Sequence, residues 1–251
     1  MKNIFLLSFL FNSFAFATTN EVSTAINFKL DEGNAKARNL GINFFNGYFF
    51  NAKNKLSAKA NLNRGQALDS TSNKLELSVF NYLGSLRYDY FATKYLGIFG
   101  AVSYFHDEFT GINYRVDLDL GLTLTVLQAT KESRDALSFD VGYRYSRESL
   151  MEKTVVPADY AKDQHKIRLA ANGVKDLSKD MYLTALVEGT YKVKSPTRIN
   201  FMADLGFNIA LSNMISFKLG YVLKYDDYLP TLNKEKLDHS LTFSLLGNIK
   251  Y

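Results

Sequence analysis

Between Ile112 and Val126 every second residue is apolar. Ile112, Tyr114, Val116, Leu118, Leu120, Leu122, Leu124 and Val126 alternate with Asn113, Arg115, Asp117, Asp119, Gly121, Thr123 and Thr125. Successive side chains of an extended chain point to opposite faces, so this segment is a strand with one apolar and one polar face. The same period runs through Ile199, Phe201, Ala203, Leu205, Phe207, Ile209 and Leu211, against Arg198, Asn200, Asp204 and Asn208. It returns in Ile215, Phe217, Leu219, Tyr221, Leu223 and Tyr225, against Ser216, Lys218, Lys224 and Asp226. No long window keeps a helical period. Along the whole chain the pattern predicts twelve strands, at residues 20–30, 35–46, 53–64, 74–91, 95–106, 112–127, 136–147, 164–173, 181–193, 197–211, 215–226 and 237–251. Asn and Lys blur the alternation in the first three.

The connections fall into two classes. Short turns are predicted at Phe91-Ala92-Thr93-Lys94, Leu177-Ser178-Lys179-Asp180 and Leu211-Ser212-Asn213-Met214. Apolar parity is kept from Leu211 to Ile215, which suits a three-residue hairpin loop. Longer polar links occupy residues 63–73, 106–111, 147–163 and 226–236. Short turns at one end and long loops at the other are the habit of outer-membrane barrels, whose short turns are periplasmic. An even strand count then puts both ends of the barrel in the periplasm.

Soluble sandwiches and barrels also alternate, so other features must decide. The predicted strands mostly run ten residues or more, beyond the soluble mean of about 5 to 6 and close to the roughly 9 to 11 tilted residues that cross a bilayer. Aromatic residues gather near strand ends, in Phe44, Phe45, Tyr48, Phe49 and Phe50 and again in Tyr88, Tyr90, Phe91 and Tyr95, where interfacial girdles belong. The last strand carries Leu241, Phe243, Leu245, Gly247, Ile249 and Tyr251 on one face, a terminal aromatic pattern that resembles the signal read by the outer-membrane assembly machinery. Turning Arg115 toward lipid would cost about 2 to 4 kcal/mol near the midplane, so the leucine face must be outside. An open sheet edge would leave backbone groups unpaired in hydrocarbon, so the sheet must close. The fold expected is all-β, a closed antiparallel transmembrane β-barrel of about 12 strands.

Composition narrows the setting. The 251 residues suit one large domain and include no Cys, which excludes a disulfide scaffold, a thiolate metal site and a lipid-modified N-terminal cysteine. Met1, Lys2, the apolar run from Ile4 to Phe16 and Ala15-Phe16-Ala17 have the layout of a signal peptide, residues 1–17, followed by a barrel over residues 18–251. Cleavage removes one charge, Lys2, and takes the formal net charge from +5 to +4. That small, dispersed excess is no nucleic-acid footprint. The expected location is the bacterial outer membrane. The expected partners are its lipid and lipopolysaccharide, and the assembly machinery through the strand ending in Tyr251; the pattern specifies no oligomeric state.

From Tyr88 onward the chain carries Tyr88-Asp89-Tyr90-Phe91, Gly97-Ile98-Phe99-Gly100-Ala101-Val102-Ser103-Tyr104, Phe109-Thr110-Gly111-Ile112, Val141-Gly142-Tyr143-Arg144-Tyr145 and Phe217-Lys218-Leu219-Gly220-Tyr221. In these segments it resembles a salt-induced outer membrane protein family (YdiY-like) of undefined function. It spans about two thirds of the chain and is weak before Leu75. These are strand patterns; the resemblance implies the barrel and brings no functional residues.

Candidate chemistry is sparse. Barrel lipid hydrolases place His and Ser two apart on a strand, where they share a face, and the chain lacks that spacing: His106 precedes Glu108, His165 precedes Ile167 and His239 precedes Leu241. Asp163 and His165 share a face but have no nucleophile beside them. Asp117 and Asp119 supply too few oxygens for calcium, which takes 6 to 8. No enzyme activity, metal or cofactor is expected. The inward faces carry ten basic positions (Arg87, Arg115, Arg144, Lys166, Arg168, Lys192, Arg198, Lys218, Lys224 and Lys250) and seven acidic ones (Asp89, Asp117, Asp119, Asp140, Glu188, Asp204 and Asp226). The candidate pore-lining residues are Arg87, Arg115, Asp117, Asp119, Arg144, Arg168, Arg198 and Lys218. They support two readings: a narrow aqueous pore with a weak anion preference, or a salt-bridged filling. The function expected is a passive channel for small polar or anionic solutes. The alternatives are a non-conducting structural or osmotic-stress protein and, third, a barrel lipid hydrolase.

Overall fold

The computed structural model describes residues 20–32, 38–68, 75–108, 110–130, 133–152, 160–193, 199–227 and 236–250. The expected signal peptide, Arg198 and Tyr251 lie outside the described residues. The strands are β1 Asn20–Glu32, β2 Arg38–Asn51, β3 Asn54–Leu68, β4 Leu75–Phe91, β5 Leu96–Asp107, β6 Ile112–Leu127, β7 Ala136–Leu150, β8 Asp163–Asp176, β9 Met181–Lys192, β10 Ile199–Ala210, β11 Ile215–Asp226 and β12 Leu237–Lys250. Each pairs antiparallel with the next, and β12 pairs with β1 from Glu21↔Lys250 to Glu32↔His239. The result is a closed barrel without a free edge.

Every predicted strand is present, the three blurred ones included. Several run further than the hydrophobic pattern: β2 reaches Asn51, β7 Leu150 and β8 Asp176. Ladder hydrogen bonds continue into polar sequence, whereas apolar alternation marks only the part of a strand that crosses lipid.

The barrel is inside-out relative to a soluble protein. Buried apolar side chains among the described residues are few (Ala25, Val79, Phe99, Ile112 and Ala170), whereas Asp89, Asp117, Asp140, Lys166 and Arg168 are all buried. Leu118, Leu120, Leu122, Leu124 and Val126 stand exposed on the outer face of β6, with Leu120 at 65% exposure. Such a contiguous apolar surface is intolerable in water and matches hydrocarbon.

Aromatic rings border this belt. Toward the end holding the described chain termini, Tyr48 and Phe50 pack edge to face at 4.9 Å, and Tyr88, Tyr90 and Tyr95 are exposed. Toward the other end, Tyr82 stacks on Tyr104 and on His106. Phe45 and Phe49 depart from the expected girdle: they have the inward parity, facing Lys59 and Lys55 across β3. Their rings take the ammonium groups of those lysines at 5.8 and 5.1 Å.

The division into short and long connections holds at most joints, but one pair reverses it. The β6–β7 link, residues 128–135, is on the short-turn side and is longer than the β5–β6 link, residues 108–111, opposite. The reason is a brace to the neighbouring turn. Asp135 accepts hydrogen bonds from Lys175 Nζ and the Asp176 N–H, while Asp176 accepts from the Arg134 N–H at 2.7 Å.

Candidate functional site in the lumen

Strands β4 to β9 contribute a connected set of ion pairs to one side of the lumen. Arg87 reaches Asp140 at 2.6 Å and Asp89 at 2.7 Å. Asp140 also accepts from Arg168 at 3.3 Å and from the Thr123 hydroxyl at 2.7 Å. Arg168 donates to Glu188 at 2.7 Å, and Glu188 accepts from Arg144 at 2.9 Å. Arg144 closes on Asp119 through two parallel bonds of 2.6 and 2.8 Å, the bidentate geometry for which guanidinium is suited.

Phe99 lies between two of these arginines. Its ring is 1% exposed and has the Arg87 guanidinium at 4.1 Å and that of Arg168 at 5.7 Å. Glycine at 121 makes this fit, because a Cβ there would meet Phe99 Cε1 at 2.8 Å and the Val141 carbonyl oxygen at 2.4 Å. Lys59 of β3 is within electrostatic range of Arg87, Arg168 and Glu188. Three arginines and this lysine therefore balance Asp89, Asp119, Asp140 and Glu188, and the network is formally neutral.

Above it, toward the long loops, lies a second cluster. Arg115 is 3.3 Å from Asp117 and 4.0 Å from Glu148, and it covers the Phe105 ring at 4.8 Å. Lys166 and Lys192 face each other across β8 and β9. Tyr160, from the β7–β8 link, donates its hydroxyl to the Glu148 carbonyl at 3.1 Å.

Strands β10 to β3 line the other side with asparagine, serine and threonine between scattered charges. Asn27, Asn43, Asn61, Asn63, Thr242 and Ser244 face a cavity of about 210 Å³, with Lys29, Lys218, Lys224 and Asp204 among its walls. Nearer the short turns, Ser138 of β7, Asn172 of β8 and Thr184 and Leu186 of β9 line a second cavity of about 270 Å³, again with Asp204 and Lys218.

Of the candidate residues, Arg87, Asp119, Arg144 and Arg168 come together in the first network, Arg115 and Asp117 in the second cluster, and Lys218 stands on the amide side. Arg198 lies outside the described residues. Sequence reading passed over Phe99, Lys59 and the asparagines. Asn27, Asn43, Asn61 and Asn63 all carry the inward parity, so the blurred strands contain a signal: the polar face there is rich in amides, with Lys29, Lys55 and Lys59 between them. The histidines are on the outer face among tyrosines. His165 hydrogen-bonds Tyr143, His106 stacks on Tyr82, and His239 is 6.2 Å from Tyr221.

A closed twelve-strand barrel with an apolar outer belt, aromatic borders and a charged lumen defines the class: this is an outer-membrane β-barrel. Its family follows from the sequence match. Over residues 21–248 the chain fits the family described as "Protein of unknown function, DUF481", and it belongs to that family, consistent with the resemblance seen from Tyr88 onward. No curated protein matches.

Among solved structures, the NanC porin is similar at TM-score 0.58 and 10% identity, over 89% of this chain and 98% of that one. The KdgM porin aligns at TM-score 0.49 and 12% identity, over 90% and 98%. The translocator domain of the autotransporter NalP from Neisseria meningitidis aligns at 0.47 and 10%, over 96% and 92%. At such identities the likeness is one of fold.

Proposed function

We propose that this protein is a narrow passive channel for small polar solutes, whose path follows the amide-lined side of the lumen and not the arginine network. One observation carries the reading: two cavities of the lumen lie away from the arginine network. The network lines neither the one of about 270 Å³, beside Ser138, Asn172 and Thr184, nor the one of about 210 Å³, beside the asparagines of β1 to β3, and both include Asp204 and Lys218 in their lining. Arginines already held by carboxylates have little field left to recruit anions, so the weak anion preference expected from charge counting is not assigned to Arg87, Arg144 and Arg168.

The porin character of the NanC protein agrees with this reading. The rival, a non-conducting structural or osmotic-stress barrel, draws on the same network, since seven interlocked side chains on one wall are also what a filled barrel needs. No residue set is assigned to catalysis. The setting proposed with the channel is the outer membrane, reached after removal of residues 1–17 and with assembly through the strand ending in Tyr251.

Purified protein in planar bilayers decides between the two readings. Discrete unit conductances are expected from the channel. Protein that shifts mobility on heating in detergent, and so is folded, yet yields no conductance steps, would establish the filled barrel instead.

A further inference from the structure

The two cavities share one pair of side chains. Asp204 of β10 and Lys218 of β11 line both, with Lys218 Nζ 3.0 Å from Asp204 Oδ1. The residues are not partners in register: Asp204 faces Val222, and Lys218 faces Asn208. The lysine stem therefore runs along the wall, over the rung between them, to reach the carboxylate. That rung is Gly206 opposite Gly220. A Cβ on Gly206 would meet Lys218 Cε at 2.4 Å and Cδ at 3.2 Å, and one on Gly220 would meet Cε at 3.2 Å. Two facing glycines thus make a trough in which the stem lies flat.

We propose that the Lys218–Asp204 pair is the charge-selecting constriction of the solute path, and that the glycine trough keeps the lysine out of the lumen. The inference rests on the amide side being the path. At the junction of the cavities the pair presents an ammonium beside a carboxylate, so an ion of either sign meets one repulsive partner. Uncharged and dipolar solutes meet matched hydrogen-bonding groups. The arginine network contributes no comparable selectivity because it lines neither cavity. Lys29 and Lys224, on the walls of one cavity, each have partners of their own.

Charge and steric variants separate the two parts of the proposal. Asp204→Asn leaves the ammonium uncompensated between low-dielectric walls and is expected to move the reversal potential in a salt gradient toward anions. Lys218→Met keeps most of the stem, leaves the carboxylate and is expected to move it toward cations. Both shifts shrink between 0.1 and 1 M salt, as the screening length falls from about 10 to about 3 Å. Gly206→Ala fills the trough, where its methyl group also presses on the Thr184 hydroxyl. It is expected to lower unit conductance without reversing selectivity, and Lys218→Ala in the same chain to restore it.

The pair is partly solvated, with side chains 19% and 32% exposed, so removing one charge leaves a barrel that still shifts mobility on heating. If the wild-type protein conducts and neither charge variant moves the reversal potential, the pair is not the constriction. If Gly206→Ala conducts as the wild type does, the trough has no such role. A folded wild-type protein that never conducts overturns the channel reading itself and is recognisable before any variant is made.

Discussion

Arg144 has three of its nitrogens committed: Nε and Nη2 to Asp119 at 2.6 and 2.8 Å, and Nη1 to Glu188 at 2.9 Å. Its side chain is 15% exposed, so little water competes for these partners. Arg144→Gln strips Asp119 of its two close hydrogen bonds in a poorly hydrated wall and leaves Glu188 to Arg168, and breaking such a pair from one side costs about 3 to 5 kcal/mol. The expected outcome is a markedly lower midpoint of unfolding by heat or guanidinium, with ion selectivity unchanged; a shifted reversal potential at unchanged stability would return this arginine to the solute path. That Arg144 points inward could be read from alternation alone. Its contact with Glu188 could not: the two lie 44 positions apart and on strands separated by β8, and only the curvature of the closed wall brings them together. Phe99 was hidden for a related reason, since an aromatic residue on a polar face looks like an interruption until arginines are found on its ring.

At the scale of strands and turns, the brace between the β6–β7 and β8–β9 links is electrostatic and exposed. The Lys175 ammonium, followed by the Asp176 N–H, holds the Asp135 carboxyl below the usual carboxylate range. A lowered folded-state value means the contact is fully present above the ordinary carboxylate pKa of about 4 and is lost as pH falls through the lowered value. Hydrogen exchange at the Asp176 amide is therefore expected to remain slow from neutral pH down to that range and to lose protection below it, after correction for intrinsic rates. Protection that does not respond to acid would mean the turn is held by its backbone alone. Strand positions were legible because lipid on one side and charge on the other enforce a period of two. The length of this link was not, because its partner is another turn, and hydrophobic patterning carries no information about turns that touch each other. The same limit explains Phe45 and Phe49, which looked like girdle residues by composition and are inward by parity.

For the molecule as a whole, the closed order β1 to β12 places the described ends of the chain on the side of the short turns. Cysteine at Glu152, exposed in the β7–β8 link, is expected to react with a membrane-impermeant maleimide in intact cells, while cysteine at Asn213, exposed in the β10–β11 turn, is expected to react only after the outer membrane is permeabilised. The opposite result would invert the barrel. The placing of the arginine network was the least legible feature, since it depends on which strands adjoin after closure; counting ten inward bases against seven acids concealed that the interlocked arginine pairs cluster on one side. That clustering also bears on time. The ion pairs of the β4 to β9 wall join residues no more than 53 positions apart, all inside that arc, so the curved sheet can begin to lock before the ends of the chain have met. The seam between β1 and β12 matches Asn27 with Ser244 and Lys29 with Thr242. Its backbone ladder must form from strands drawn from opposite ends of the sequence, which is the slowest kind of encounter. The barrel is thus a sheet that stiffens from one flank and zips last where the two ends of the sequence meet.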